Sequence, residues 1–254
     1  MKEVTLNGKK VVLYDSIDSL PIVRFHHYNR YLLVDSGIGS DINDFDSHLE
    51  RVVAYIRKGE NENAAKELEN MRQNIYMVLS QQNTKHLSFA CLVKSIDGEP
   101  CDDLSPEGVK ATLEKLGGTP LHDITASYEE VKKKIDGDLS LYFPNLFDDV
   151  RTREYYDTLK RLTVVSLEKI TDGDTEERQK MIQDLRDRLV LFIKPKVFTG
   201  HDGVEVRHDK DFETMCLMLT KETGRDAKQM TVFEYYNAYE WLAKKAKNDR
   251  KKAK

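Results

Sequence analysis

SLPIVRFHHYNRYLLVDSG (19–37), DFDSHLERVVAYIRKG (44–59) and ENAAKELENMRQNIYMVLSQQ (62–82) follow one another with short breaks, and their reading decides the fold. Each has an apolar stripe at helical spacing. Ile22, Phe25, Leu32 and Leu33 form the first; Phe45, Leu49, Val52, Val53 and Ile56 the second; Ala64, Leu68, Met71, Ile75 and Val78 the third. Asp18 or Ser19 caps the first helix, with Pro21 tolerated in its first turn, and Gly37 and Gly59 stop the first two. A short amphipathic helix alone leaves its stripe in water, so the three pack on each other or on a neighbour.

Upstream, residues 4–14 read as a β-hairpin, because Asn7-Gly8 is the dipeptide that a two-residue type I′ turn requires. A lone hairpin is marginal in water, so it either lies on the helices or pairs with another chain through an exposed edge. Downstream, Leu87–Val93 is too uniformly apolar for periodicity to separate helix from strand; helix is the favoured reading, followed by a turn at Asp97-Gly98. Ser105-Pro106-Glu107 opens a helix that Gly117-Gly118 closes, and a further helix over 127–135 ends at Gly137. LSLYFPNLF (139–147), broken by Pro144, reads as a packed loop or edge segment.

Two long helices, 148–170 and 175–193, make an αα-hairpin across Thr171–Asp174. Ile182, Leu185, Leu189, Phe192 and Ile193 form the stripe of the second, and Pro195 ends it. KVFTGHDGVEVR (196–207) reads as a second β-hairpin. Helices over 210–223 and 231–247 follow, the latter with the capping box Thr231-x-x-Glu234. The expected fold is therefore mainly α, packed helical hairpins with two short β-hairpins. It is organised as an N-terminal hairpin-plus-helix region (1–95), a helical middle (96–195) and a C-terminal region with a basic tail (196–254).

At 254 residues the chain can bury a substantial core. Its net charge of −4 provides no global field to attract nucleic acid. Three cysteines, Cys91, Cys101 and Cys216, lack paired spacing and fit a reduced cytosolic setting. The N-terminal stretch has no apolar signal region, and apolar runs are too short to span a bilayer.

No stretch encodes an identifiable activity, and catalytic residues, cofactors and metals are all expected to be absent. His26 and His27 are adjacent, about 100° apart on a helix, and cannot chelate as an i, i+4 pair would. His201 and His208, flanking the second hairpin, could face each other across it, with Asp202 or Asp209 as further ligands; polar turn residues are the simpler reading. DSGIGSDINDFD (35–46) fails both the phosphate-loop and calcium-loop patterns, and reads as a helix stop followed by a helix start. A hydrolase with an acidic site lacks any recognisable acid pair.

The last helix is unusually aromatic: Tyr235 and Tyr239 share a face with Val232 and Leu242, while Tyr236 and Trp241 project elsewhere. Such residues serve a core or an interface, and Tyr235, Tyr236, Tyr239 and Trp241 are the expected partner contacts. Behind them Lys244, Lys245, Lys247, Arg250, Lys251, Lys252 and Lys254 could contact phosphates.

The stretch DFETMCLMLTKETGRDAKQMTVFEYYNAYEWL (211–242) resembles tailed-bacteriophage proteins of the tail-assembly-chaperone type, which end in a helix, a short Lys/Gly-containing break and a Met-Thr-x-x-Glu capped helix. The resemblance implies a non-enzymatic structural or assembly protein, a chaperone, ring or connector component, in the host cytoplasm during assembly or in the virion. It implies other phage structural proteins as partners and a homo-oligomer, without a membrane. The alternative is an accessory protein that binds nucleic acid through the basic tail.

Overall fold

The computed structural model describes residues 1–34, 42–79, 84–117, 121–147, 150–190, 192, 197 and 200–252. Expectations resting on Gly37, Gly118, the loop 35–41, Ile193, Pro195 and Lys254, and on the side chain of Val78, lie outside the described residues. In chain order the elements are β1 (Lys2–Leu6), β2 (Lys9–Leu13), α1 (Ile22–Val34), α2 (Ile42–Arg57), α3 (Asn61–Leu79), α4 (Thr84–Leu92), β3 (Val93–Ile96), β4 (Glu99–Pro100), α5 (Pro106–Lys115), α6 (Leu121–Tyr142), α7 (Pro144–Phe147), α8 (Val150–Thr171), α9 (Glu176–Val190), α10 (Val204–Thr223) and α11 (Val232–Lys252), with a 3-10 turn at Ala227–Gln229. The fold is mainly α with one small antiparallel sheet. No helix among the described residues is long and apolar enough to cross a membrane.

Two compact units interleave along the chain: residues 1–35, 81–143 and 199–254 form one, and 36–80 with 144–198 the other. The boundaries expected at 95 and 195 do not coincide with them, because helix partners come from distant segments.

In the first unit the sheet order is β1-β2-β3-β4. Asn7-Gly8 adopts φ of 48° and 75°, and Asp97-Gly98 φ of 51° and 86°, the double positive pair of a type I′ turn. The N-terminal hairpin is thus one half of a sheet completed by β3 and β4. Its tip is tied down, Asn7 Nδ2 donating to Gly117 O at 3.0 Å. His86–Leu92 of α4 is buried on every side, which is why its periodicity is uninformative. The helix ends at Leu92 and Val93 opens β3. Buried Arg24 of α1 donates to the carbonyls of Val93 (3.0 Å) and Cys101 (2.6 Å) and to Asp102 Oδ1 (2.9 Å). Those acceptors satisfy a charge that would otherwise be costly to bury.

Four local expectations need correction. The first helix begins at Ile22, not at a cap on Asp18 or Ser19: Ile22 N donates to Met230 O (2.9 Å) and Val232 N to Leu20 O (2.9 Å), so the chain entering α1 and the chain entering α11 supply each other's missing acceptors. α6 passes through Gly137 to Tyr142, because Ile124, Tyr128, Val131, Ile135 and Leu139 form one buried stripe. The segment 139–147 is correspondingly helical through Tyr142, and after Phe143 α7 starts at Pro144. Finally, residues 204–207 belong to α10 rather than to a second β-hairpin, since Val204, His208 and Phe212 continue the helical spacing that leads to Cys216 and Leu219.

In the second unit, α2 and α3 form a helical hairpin closed at Gly59 (φ 76°), and α8 and α9 form another. Val52, Ala54, Tyr55, Ala64 and Met71 make a core with Phe45 against it. The stripes are narrower than expected. Leu49, Val53 and Ile56 of α2 and Leu68 and Ile75 of α3 are exposed, and the buried face of α3 instead carries Glu67 and Asn70.

Candidate partner-binding face

The start of α11 is set by its capping box. Thr231 N donates to Glu234 Oε2 (3.0 Å) and Glu234 N to Thr231 Oγ1 (3.3 Å). The backbone hydrogen bond from Thr231 outweighs some burial, and with help from Arg225 holds the Glu234 carboxyl below its ordinary value. With that start fixed, Val232 and Tyr235 turn inward and are buried. Tyr236 projects to another side of the helix, as its spacing requires, and that side too is covered. Its ring lies 5.6 Å from Phe143 and 6.3 Å from Phe25, and burial pushes its hydroxyl up to about 12. Phe143 and Phe25 arrive from remote parts of the chain and claim that side of the helix. Of the four aromatic residues proposed as partner contacts, Trp241 alone is strongly exposed, at 50%.

Tyr239 is half-buried and lines a cavity of about 230 Å³ with Phe25, His26, His208, Phe212 and Met215. His26 is stacked between His208 (ring centroids 4.2 Å apart) and Phe212 (4.0 Å), and its Nε2 lies 2.9 Å from Asp209 Oδ1. Burial and then the neighbouring His208 lower the His26 pKa to about 4, against the opposing pull of Asp209, so the ring is neutral at pH 7. His201 and His208 do not face each other. His201 pairs with its exposed neighbour Asp202 at 3.0 Å, while His208 turns to α1, its Nε2 3.2 Å from His26 O. A sequence separation of 182 residues left no local signal for that pairing. Among the described residues no group of three His, Cys, Asp or Glu side chains is placed to hold a metal ion. All three cysteines are free and buried, and burial raises the thiols of Cys91 and Cys216 to about 12 and 11, which leaves them poor nucleophiles.

The basic end of α11 is partly engaged within the chain. Lys244 reaches Glu240 (3.4 Å), and Lys245 reaches Glu222 of α10 (2.5 Å) while standing 5.3 Å over the Trp241 ring. Lys247 is exposed; Arg250, Lys251 and Lys252 extend the helix, their side chains lying outside the described set. The Glu222 contact was invisible in the sequence, because it depends on how α10 and α11 meet. The second unit has a larger open groove of about 530 Å³. Arg51, Arg57 and Arg186 line it together with Asp46, Glu50 and Asp187, so its charge favours no ligand of one sign. The chain matches no known protein family, and no curated protein or solved structure matches it.

Proposed function

We propose that this chain is a non-enzymatic structural or assembly protein that works through protein–protein contacts, with the Trp241 side of α11 as an anchoring face. The observation that carries the reading is a half-exposed tryptophan whose ring is held by Lys245, itself fixed to Glu222. A large aromatic side chain already ordered in the free protein loses little entropy on docking, which suits an interface anchor. Exposed Lys244 and Lys247 nearby favour a protein neighbour offering an apolar pocket with an acidic rim. In the setting implied by the tailed-phage resemblance, that neighbour would be another phage structural protein, met in the host cytoplasm during assembly.

Two variants test the reading against nucleic-acid binding. Mass spectrometry of co-purifying proteins identifies the partner. Trp241→Ala is expected to weaken it by roughly 2 kcal/mol, about 30-fold. A chain truncated after Ala243 is expected to keep the partner and to bind DNA no differently. Loss of a salt-sensitive DNA affinity on truncation, with partner binding intact in Trp241→Ala, would replace this reading by the nucleic-acid one.

A further inference from the structure

Three helices of the first unit, α1, α10 and α11, meet around the cavity of about 230 Å³. α1 supplies Phe25, α10 supplies Phe212, and α11 supplies Tyr235, Tyr236 and Tyr239, so five aromatic rings line one small space. Phe25 and Tyr235 are buried, Tyr239 is half-buried, and Asp211 is exposed and so marks the mouth. The ring planes are crossed. Tyr236 stands at 83° to Phe25 and at 88° to Tyr235, with centroids 6.3 and 5.5 Å apart. Tyr235 and Phe212 lie nearer to parallel, at 30° and 6.2 Å. Crossed rings turn their faces toward more than one side of the space they enclose.

The face of an aromatic ring is the negative side of its quadrupole, so several faces around one space attract a cation. The rest of the lining has the same sign. Among the described residues no Lys or Arg lines the cavity, and Asp211 is in no ion pair. Asp209 is already taken by His26 and Arg30. His26 is neutral at pH 7, and His208 turns its Nε2 to His26 O. Burial raises the hydroxyls of Tyr235 and Tyr236, which stay neutral as well.

Size and solvation narrow the ligand. Sites for drug-sized molecules enclose roughly 300–1,000 Å³, and this cavity holds little beyond one head group. A bare ammonium is strongly hydrated and would lose that hydration among rings, whereas a fully methylated one presents only methyl groups to them. The carboxylate at the mouth repels the phosphodiester of a choline lipid.

We propose that the cavity between α1, α10 and α11 binds a small free molecule carrying a quaternary ammonium group, held by the ring faces and by Asp211. Trp241 does not line this cavity, and the site does not rest on the proposed partner contact.

Isothermal titration calorimetry of the full chain with choline is expected to show saturable binding. The neutral tert-butyl analogue of choline, with carbon in place of the ammonium nitrogen, is expected to bind about tenfold more weakly. Tyr239→Leu keeps apolar volume but removes a ring, and should weaken choline about fivefold while leaving the analogue unchanged. Tyr239→Phe should retain choline. Asp211→Asn, at an exposed position harmless to folding, should weaken choline about threefold and lessen the salt dependence of its binding. No choline binding at millimolar concentration, or equal affinity for choline and its analogue, overturns the proposal. So does a choline affinity indifferent to both Tyr239→Leu and Asp211→Asn. A trimethyllysine peptide that binds about tenfold tighter than choline would give the site to a partner protein and overturn it too. Trp241→Ala should leave choline affinity unchanged, so retention of the protein partner by that variant counts only against the proposed function.

Discussion

Glu67 is 1% exposed, yet its carboxyl is held ionised. Burial alone would raise its pKa. His48, whose Nδ1 lies 2.6 Å from Oε1, and Arg51, whose Nε donates at 2.8 Å, overcome that effect and lower it. A carboxyl depressed in the folded state contributes stability above its ordinary value of 4.5 and loses that contribution as pH falls through the lowered folded value. Glu67→Ala is therefore expected to cost about 3–5 kcal/mol at pH 7, because it removes the carboxylate that buried His48 and half-buried Arg51 share, and clearly less at pH 3. Urea unfolding at both pH values checks the magnitude and the sign. The sequence offers Glu67 as an ordinary polar helix position and puts Leu68 on the buried stripe. A hydrophobic pattern weights apolar side chains, so a buried polar network of this kind leaves no trace in it.

At the scale of elements, caps and turns were legible because they act over three or four residues. The Thr231–Glu234 box and the Asn7-Gly8 turn are of that kind. Gly137 shows the limit. Glycine is a usual helix stop, but here a buried stripe on the opposite face carries α6 past it, and a Cβ at Gly137 would meet nothing within 4 Å. Gly137→Ala is accordingly expected to stabilise the protein by about 1 kcal/mol, read as a raised unfolding midpoint in urea. The misread strand at 204–207 has a related origin: Val204 and Val206 alternate as a strand would, and only the surfaces meeting α10 reveal the longer helical repeat.

At the scale of the whole molecule, the two units exchange the chain between them, so a contiguous piece does not equal a folding unit. A fragment ending at residue 95 would retain α1 but lose α10 and α11, leaving Phe25 and His26 without Tyr236, His208 and Phe212. It is expected to lack a cooperative unfolding transition, and calorimetry beside the full chain tests this. A fragment melting as sharply as the full protein would contradict the interleaved architecture.

The sequence by itself determined the mainly helical class, the type I′ turn at Asn7-Gly8, the α8–α9 hairpin and the capped start of α11. Each follows from periodicity or backbone conformation within a few residues. Tertiary structure decided which apolar stripes are covered, that β2 pairs with β3, that Tyr236 turns inward, and that His26 meets Asp209 across 183 positions. The reason is physical. Helical spacing specifies that a face is apolar, whereas burial depends on what arrives to cover it, and those surfaces come from segments scores of residues away.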